Sequence, residues 1–334
     1  MSTSATGRPL RVAFAGVFAG QVADRVRARI EVPCDVVQGG EGEVLDQLGD
    51  VDVLVSMAFT REMARAAPRL RLVQVPGAGL DRIDRAALRP ETALANAYGH
   101  DVGIAEYVVG AMLVLARAFC RIDASLRRGR WESVWSGTPV RLWSELAGKT
   151  LGIVGYGRIG QAVARRALAF DMEVLAIRRD ASRPDPNGLP YLRGPEALDD
   201  VLGRADFLAL TLALTPDTRG LIDTRALGRM KPGAMLINVA RAEVVDEGAL
   251  YDALHRGALA GAALDVWYRY PQGPEPTLPA YHPFHTLPNV LMTPHVSGWT
   301  EGMMDSRAAV IAQNIHRVAR GEAPVNLVRR DAGA

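Results

Sequence analysis

Three glycines near the middle of the chain have the spacing of a turn that binds a dinucleotide. Gly155, Gly157 and Gly160 follow one another as G-x-G-x-x-G. The first glycine permits a tight turn, the second lets backbone N–H groups approach a pyrophosphate, and the third lets a helix pack close to a sheet. The N-terminus of that helix would face the phosphates with its partial positive charge. The pattern predicts dinucleotide binding, although a glycine-rich turn between two packed elements can carry the same letters.

The residues on both sides of the glycines supply the elements that such a turn needs. Residues 151–154 are an apolar run long enough for a buried strand, and the stretch up to Phe170 has helical periodicity. Residues 173–177 have the pattern of a second strand. A strand, a glycine turn, a helix and a strand thus follow within about 30 residues, the context in which the glycine pattern is specific.

The end of the second strand bears on the choice of cofactor. NAD sites usually carry an Asp or Glu about 20 residues after the glycines, which accepts a hydrogen bond from the ribose 2′-hydroxyl. Here the strand ends in Arg178 and Arg179. A guanidinium suits a 2′-phosphate and cannot accept a hydroxyl proton, so the pair favours NADP. The neighbouring Asp180 keeps NAD open, and two solvated arginines are the plain alternative.

The remaining chain alternates short apolar runs with helical stretches, which predicts parallel α/β layers. A length of 334 residues fits two such domains. Strands are expected at residues 10–15, 34–37, 51–55, 72–75, 206–212, 234–239 and 290–292 and just before Asp265, and helices at 21–30, 95–117 and 299–320. The glycine turn would then belong to a second domain that follows a first α/β domain.

Two further positions have residue types that suit a binding site. Ala78 and Gly79 follow a strand, where successive backbone N–H groups can hold a carboxylate. These residues alone favour an ordinary strand–helix connection, because Gly-rich turns are common. Asp101 is expected to cap the helix at 95–117, and His100 before it is either catalytic or structural.

Composition and charge exclude several classes of protein. The formal net charge is +2 and the charges are interspersed, so no basic face is predicted for nucleic acid or an anionic membrane. Cys34 and Cys120 are too few and too far apart for a disulfide framework or a metal cluster. Residues 1–14 lack an apolar signal core, and the apolar stretch 102–119 carries Glu106 and fits a buried helix better than a membrane span. The expected location is the cytoplasm.

Two segments have no regular periodicity. Residues 121–145 carry Trp131, Trp135 and Trp143 among polar residues, and these aromatics either cover a partner subunit or pack on their own domain. Residues 270–288 form a Pro-rich loop that is long enough to be functional rather than a simple connector.

Taken together, six stretches of the chain resemble the D-2-hydroxyacid dehydrogenase family, which includes phosphoglycerate, glyoxylate/hydroxypyruvate, phosphite and formate dehydrogenases. They occur in the family's order and cover nearly the whole chain: GAGLDRID (77–84), GKTLGIVGYGRIG (148–160), LTPDTRGLID (214–223), INVARAEVVDEGAL (237–250), GAALDVW (261–267) and NVLMTPHVSG (289–298).

The resemblance implies an α/β protein with two Rossmann-like domains. A discontinuous, flavodoxin-like substrate domain would comprise residues 1–100 and 297–334, and a doubly wound NAD(P)-binding domain would be inserted at 101–296, with the active site in the cleft. It also implies a homodimer that forms through the nucleotide domain, with residues 102–145 at the interface.

The resemblance further implies roles for individual residues. Arg241 matches the arginine that binds the substrate carboxylate and polarises the keto oxygen, which suits a planar fork of donors. His295 matches the acid/base, a role that suits an imidazole titrating near neutrality. The carboxylate cradle falls on Ala78 and Gly79. Contacts to the cofactor are implied for Gly155, Gly157, Arg158, Ile159, Gly160, Arg178, Arg179, Ala240 and Gly298, and for Asp265 on the nicotinamide carboxamide.

One position departs from the family's pattern. A glutamate that pairs with the histidine and raises its pKa is expected 29 residues after Arg241, but this position is Tyr270. A neutral phenol cannot stabilise an imidazolium as a carboxylate would, so His295 should be a weaker base. Formate dehydrogenases also replace this glutamate, with glutamine. Glu275 in the long loop is the other carboxylate considered for this role.

Three functions are compatible with Tyr270. The first is NAD(P)-dependent interconversion of a small 2-keto acid and its D-2-hydroxy acid, with a retuned histidine. The second is a dehydrogenase for an unusual small anion, such as phosphonopyruvate or a formate- or phosphite-like substrate, with Tyr270 touching the substrate. The third is a non-catalytic NAD(P)-sensing protein, against which the presence of both Arg241 and His295 argues. The substrate pocket is expected near residues 56–60 and the 270–288 loop.

Overall fold

The computed structural model of the chain describes residues 8–137 and 142–328. Residues 1–7, 138–141 and 329–334 lie outside this range. Two earlier expectations therefore lie partly outside the described residues. They are the lack of a signal core in residues 1–14 and the interface at residues 102–145.

Within the described ranges, strands and helices alternate along most of the chain. The strands are β1 (Leu10–Ala15), β2 (Cys34–Gly39), β3 (Val53–Ser56), β4 (Leu72–Gln74), β5 (Ala93–Ala95), β6 (Thr150–Val154), β7 (Glu173–Ile177), β8 (Tyr191–Arg193), β9 (Phe207–Leu210), β10 (Met235–Asn238), β11 (Gly261–Leu264) and β12 (Val290–Met292). The helices are α1 (Val17–Arg27), α2 (Arg61–Ala66), α3 (Asp101–Ala116), α4 (Phe119–Leu126), α5 (Arg158–Leu168), α6 (Leu198–Arg204), α7 (Thr224–Arg229), α8 (Glu247–His255) and α9 (Glu301–Ala319).

Among the described residues, the first compact unit is built from 8–99 and 300–328. Its parallel sheet has the order β2-β1-β3-β4-β5, which is the flavodoxin-like order 2-1-3-4-5. Helix α9 returns to this unit and packs against α1 on one face of the sheet, where Phe14, Val22 and Ile311 share a core. A second core covers the opposite face.

The second compact unit comprises His100–Trp299. Its parallel sheet has the order β12-β11-β10-β9-β6-β7-β8, the doubly wound arrangement with β6 in the first-strand position. The direction of strand succession reverses between β6 and β9, and ligands of such sheets bind at the carboxyl ends of the strands at this reversal. The α/β class with two Rossmann-like domains is therefore confirmed.

The central strands form because they are apolar on both faces. Every residue of β6, β9 and β11 is buried, as parallel strands covered by helices on both sides require. Several helices begin at a side chain that accepts a hydrogen bond from the backbone N–H three residues later, which satisfies one free donor of the first turn. These caps are Thr60, Asp223, Asp246 and Thr300.

The expected helix at 95–117 is wrong at its N-terminal end. Ala95 ends β5, which pairs with β4, and residues 96–100 form neither a strand nor a helix, with Gly99 in a left-handed conformation at φ of 106° just before the helix. Helix α3 starts at Asp101, which is therefore not its cap. His100 occupies the N-cap position without a side-chain capping hydrogen bond.

Helix α1 and strand β8 also differ from expectation. Helix α1 starts at Val17 rather than at residue 21, because Gly16, with φ of 90°, turns the chain sharply at the end of β1. The edge strand β8 was not expected, since three residues are too few to show a period of two. Among the described residues, no single helix is long and apolar enough to cross a membrane, and α3 and α4 meet that criterion only as a pair bent by 56°.

Candidate functional site

The glycine turn, residues 155–160, connects β6 to α5 at the carboxyl edge of the second sheet. Gly155 has φ of 101°, and a Cβ atom there would lie 2.6 Å from the backbone nitrogen of Leu212. A Cβ on Gly160 would lie 2.7 Å from the carbonyl oxygen of Gly155, so the helix can approach the strand only without a side chain.

The N-terminus of α5 fits a phosphate group. Gly157 is its N-cap and is exposed, no side chain caps the helix, and a Cβ on Gly157 would meet nothing within 4 Å. Arg158 and Ile159 follow as the first helical residues. Open space in front of helical N–H groups is what a pyrophosphate needs, so these residues fit a dinucleotide cofactor.

The two arginines after β7 are in different environments. The guanidinium of Arg178 lies 5.7 Å from the ring centre of Tyr156 and donates hydrogen bonds to the carbonyl oxygens of Arg183 and Pro184. The Tyr156 hydroxyl in turn donates to Asp185 over 2.6 Å. Arg178 is therefore held against its own loop.

Arg179, by contrast, is exposed and makes no hydrogen bond or ion pair with any described residue. The carboxylate of Asp180 accepts hydrogen bonds from the backbone and hydroxyl of Ser182 and from Arg183. The cation at the end of β7 is thus available to a ligand, whereas the neighbouring carboxylate is engaged by its own loop.

Arg241 follows β10 in a turn that is held by one buried amide. The side chain of Asn238, which is 1% exposed, donates to the carbonyl oxygen of Arg241 and accepts from the N–H of Ala240, both over 3.0 Å. Ala240 itself is buried, and its carbonyl oxygen accepts a hydrogen bond of 2.8 Å from the Arg241 guanidinium. These hydrogen bonds therefore fix the backbone from which the Arg241 side chain extends.

The histidine turn, residues 293–297, follows β12. His295 has φ of 57°, in the left-handed region that residues other than glycine rarely adopt. Its Nδ1 atom lies 2.8 Å from the hydroxyl oxygen of Tyr270, and the two rings are tilted by 53°. Nε2 makes no hydrogen bond with any described residue, so this nitrogen is available to a substrate.

Asp265 holds the histidine turn through three hydrogen bonds. Its side chain is fully buried and accepts hydrogen bonds from the Thr293 hydroxyl over 2.6 Å and from the N–H groups of Val296 and Ser297 over 2.9 Å each. One carboxylate oxygen takes two of these three bonds and the other takes the third, so Asp265 holds the backbone on both sides of His295.

Burial and the net effect of the neighbouring charges favour the neutral form of the His295 imidazole. Desolvation lowers the pKa of His295 below its ordinary value, the positive charge of Arg241 lowers it further, and Asp265 opposes both. Burial raises the pKa of Tyr270, although the Trp267 N–H and Arg241 pull it down. A neutral imidazole therefore faces a neutral phenol.

The second unit thus brings together most of the residues singled out from the sequence. Arg241, Tyr270, Asp265 and His295 interact with one another at the carboxyl ends of β10, β11 and β12, on the edge of the sheet where the glycine turn also lies. Gly298 directly follows the histidine turn. A Cβ on Gly298 would lie 3.2 Å from the Cβ of His100, so the chain after this turn packs closely on the start of α3.

Three expected residues lie elsewhere. Ala78 and Gly79 belong to the first unit, where they follow β4 half-buried, and the Asn96 side chain donates to the carbonyl oxygen of Ala78 over 3.1 Å. Glu275 is exposed, and its side chain makes no hydrogen bond or ion pair with any described residue. The partner of His295 is the Tyr270 phenol.

Sequence reasoning missed Asn238 and Thr293 as residues that shape the site. Both are polar residues at or just after the carboxyl end of an apolar strand, and this position is the signal that could have identified them. Tyr107, which contacts Thr293 from α3, carries no such signal because it lies within an apolar helix.

Comparison with known proteins gives a consistent result. A family profile described as "D-isomer specific 2-hydroxyacid dehydrogenase, NAD binding domain" matches residues 109–297. The D-3-phosphoglycerate dehydrogenase of Methanocaldococcus jannaschii is 37% identical over 86% of this chain and 53% of its own length. The glyoxylate reductase of Pyrococcus furiosus is 37% identical over 86% of this chain and 85% of its own length.

The chain spans about half the length of the phosphoglycerate dehydrogenases that it matches. Among solved structures, the TT0316 protein from Thermus thermophilus superposes with a TM-score of 0.79 at 33% identity, over 96% of this chain and 100% of that one.

Proposed function

The chain belongs to the D-isomer specific 2-hydroxyacid dehydrogenase family, and we propose that it interconverts a small 2-keto acid and its D-2-hydroxy acid with a nicotinamide cofactor. The observation that carries the proposal is the pairing of two groups in the second unit. His295 has one nitrogen bonded to Tyr270 and the other available, and Arg241 lies close enough for its charge to lower the pKa of that imidazole. An acid/base beside a carboxylate-binding cation is the minimum that this reaction requires.

Arg241 binds and orients the substrate. Its planar guanidinium can hold a carboxylate and polarise the adjacent keto oxygen, which keeps the carbonyl carbon in one orientation. The Asn238 amide keeps the backbone of Arg241 in place. The backbone N–H groups of Ala78 and Gly79 are proposed to bind a carboxylate, as the family resemblance implies.

His295 moves the proton. A nicotinamide cofactor, when bound, would supply the hydride for reduction and accept it in oxidation. In reduction the imidazolium donates its Nε2 proton to the oxygen that becomes the hydroxyl, and in oxidation the neutral Nε2 takes that proton back. Asp265 is proposed as the residue next to the nicotinamide amide, as the family resemblance implies, with Ala240 and Gly298 as neighbouring contacts.

Tyr270 sets the protonation range in which this chemistry works. Burial and the charge of Arg241 lower the pKa of His295, and the phenol oxygen, which accepts the Nδ1 proton of an imidazolium, brings no negative charge to offset them. Reduction needs the protonated ring, so its rate should decline as pH rises through that lowered pKa. Oxidation needs the neutral ring and should stay near its maximum down to a lower pH than a carboxylate-paired histidine would allow.

NADP is proposed as the preferred cofactor because of the end of β7. Arg179 is exposed without a partner among the described residues, and the carboxylate of Asp180 is already engaged. A 2′-phosphate would gain a charge-assisted hydrogen bond from Arg179, whereas a ribose hydroxyl would find few free acceptors. Replacing Arg179 by Ala should weaken NADPH binding about tenfold and leave NADH binding unchanged.

A second candidate is a dehydrogenase for a small anion other than a 2-keto carboxylate. Tyr270 favours it, because the side chain is 49% exposed beside His295 and has surface left to touch a substrate. A non-catalytic sensor is the third candidate, and it would need neither the imidazole nor the guanidinium at these positions.

One assay separates these candidates. Purified protein is mixed with NADPH or NADH and with glyoxylate, hydroxypyruvate, pyruvate, a bulkier 2-keto acid or phosphonopyruvate, and loss of reduced cofactor is followed by absorbance. Fast oxidation with a carboxylate keto acid is expected. Turnover with phosphonopyruvate alone would move the assignment to the second candidate. Cofactor binding without turnover on any substrate, in either direction, would overturn the proposed function.

A homodimer is also proposed, through residues 102–145. Large apolar side chains there are strongly exposed although they would gain free energy by leaving water. They are Phe119, Leu126, Trp131, Val134, Trp135 and Leu142. Sedimentation velocity should give a dimer, and Trp135→Ser, at a side chain that is 86% exposed, should raise the dimer dissociation constant. A monomer at micromolar concentration would contradict this proposal. The cytoplasmic location stays a prediction from composition.

A further inference from the structure

His295 has a backbone conformation that the surrounding residues must impose. A left-handed φ of 57° costs a non-glycine residue on the order of 1 kcal/mol. The local hydrogen bond from the His295 N–H to the Thr293 carbonyl oxygen, 3.0 Å long, spans only two residues. The conformation of the acid/base therefore depends on contacts from outside the histidine turn.

Those contacts reach both sides of His295 through one carboxylate. Asp265 accepts from the Thr293 hydroxyl before the histidine and from the N–H groups of Val296 and Ser297 after it. The Trp267 indole N–H adds a hydrogen bond of 2.8 Å to the carbonyl oxygen of Thr293. Movement of Thr293 would therefore be transmitted directly to the imidazole.

The hydroxyl of Thr293 has a fixed direction. It carries one proton, and this proton goes to the Asp265 carboxylate, which can only accept. The Tyr107 hydroxyl lies 2.7 Å from the same threonine oxygen. Because the threonine proton is already used, Tyr107 must be the donor, and the bonds run from Tyr107 to Thr293 to Asp265.

Tyr107 is well placed to be a constant donor. It lies within α3, which packs against β10, β11 and α5 and is therefore held by the core of the second unit. The side chain is partly buried, and burial raises the pKa of its hydroxyl to about 12, so the proton is retained at every pH at which the enzyme would work. The donor therefore does not titrate together with His295.

We infer that Tyr107 is a positioning residue for His295: from α3 it fixes the Thr293 hydroxyl on Asp265 and thereby holds the imidazole where it can transfer a proton. The inference rests on the proposed function, because it assigns His295 the proton transfer. It adds a residue on a different element, 188 positions before the histidine, that touches none of the reacting groups described above.

The test compares two tyrosine variants. Tyr107→Phe removes only the hydroxyl that donates to Thr293. Tyr191→Phe is the matched control, because its hydroxyl donates over 2.5 Å to Asp200 on the exposed edge of the same unit. Tyr107→Phe should lower kcat about tenfold and leave KM and the NADPH dissociation constant within twofold, since a small displacement of a catalytic group affects the chemical step. Tyr191→Phe should change none of these.

A second readout does not need turnover. The protein is labelled with ¹³C at histidine Cε1, and the His295 signal is assigned from its loss in His295→Gln. Tyr107→Phe should shift or broaden that signal and move its titration midpoint, and Tyr191→Phe should not. Asp265, Arg241 and Tyr270 are the charged or titratable groups that face His295, and none is altered in either variant.

The outcomes separate the two proposals. A wild-type protein that turns over no acid would overturn the proposed function, while the histidine signal would still report on Tyr107. If Tyr107→Phe changes neither kcat nor the His295 signal, the positioning role is wrong. If it lowers thermal stability and cofactor affinity together while the His295 signal stays unmoved, Tyr107 is merely structural and the inference is equally overturned.

Discussion

The glycine turn and the histidine turn leave the same edge of one sheet, and both contain a residue with positive φ. Gly155 has φ of 101° and His295 has φ of 57°. In the first turn the strained position carries no side chain, and a Cβ would collide with Leu212. In the second turn the position carries the imidazole, and a buried carboxylate with three hydrogen bonds holds it there.

The difference follows from which atoms each turn presents. A phosphate-binding turn presents backbone N–H groups, so glycine provides both the conformation and the space. An acid/base turn must present a side chain, so the conformational cost is offset by contacts from Asp265 and, through Thr293, from α3. Local sequence determines the first turn, whereas distant residues determine the second.

The largest effect is expected at the substrate-binding cation. Arg241→Ala should lower kcat/KM about a thousandfold, because a bidentate charge-assisted contact to the acid is lost, while the glycine turn and cofactor affinity remain intact. Arg225→Ala, which removes an exposed ion pair with Asp199, is the control for loss of an arginine in the same unit. Steady-state kinetics and NADPH titration measure both. Unchanged turnover in Arg241→Ala would remove this residue from the mechanism.

The next effect tests the glycine turn. Gly155→Ala should lower the free energy of unfolding by about 3 kcal/mol, because the new Cβ meets the Leu212 backbone at a strained φ. Gly157→Ala should change it by less than about 1 kcal/mol, since its Cβ would enter open space, yet should weaken cofactor binding. Urea unfolding and fluorescence titration give the two numbers. Equal stability of both variants would contradict the assigned geometry.

A smaller effect concerns the pH range of the histidine turn. Tyr270→Glu should raise the pKa of His295, so the decline of the reduction rate with pH should move upward by about one unit. Tyr270→Gln carries no charge and should leave the midpoint nearly unchanged. Rate–pH profiles in the reductive direction check this. Loss of activity at every pH in Tyr270→Glu would instead indicate that Tyr270 contacts the substrate.

The smallest effect tests the strain itself. His295→Gly and His295→Ala both remove the imidazole, and both should abolish proton transfer. The glycine variant should nevertheless be more stable than the alanine variant by about 1 kcal/mol, since only alanine keeps a Cβ in the left-handed region. Thermal unfolding of the two proteins under one condition provides the comparison. An alanine variant that is equally or more stable would show that φ at 295 is relaxed.

Much of the fold was predictable from the sequence because its strands are short, apolar and bounded by turns. The bounds of β1, β7 and β12 agree with expectation residue for residue. The start of α3 did not agree with expectation, because Ala95 pairs with β4 and residues 96–100 form neither a strand nor a helix. The periodicity of a segment carries no information on how that segment pairs with other segments.

The candidate site likewise contains residues that were predictable from the sequence and residues that were not. The family resemblance located Arg241, His295 and the substitution by Tyr270, and the structure adds the 2.8 Å contact between the last two. The contacts through Thr293 and Tyr107 were not predictable, since they join residues 186 positions apart whose side chains have no motif. Which of two adjacent arginines is available also depends on a loop conformation that spacing does not reveal.

The placement of α9 has a consequence for the order in which the chain can fold during synthesis. The second unit is one continuous segment, His100–Trp299, and all its strands and helices have been made before α9 leaves the ribosome. The first unit needs α9, whose Ala308, Ile311 and Ile315 fill the core against β1 and α1. A nascent chain that has emerged only as far as residue 299 would therefore hold a second unit that is able to fold and an α/β layer with one bare apolar face. Chaperone binding to stalled chains should be strongest at that length and fall once residue 319 has emerged.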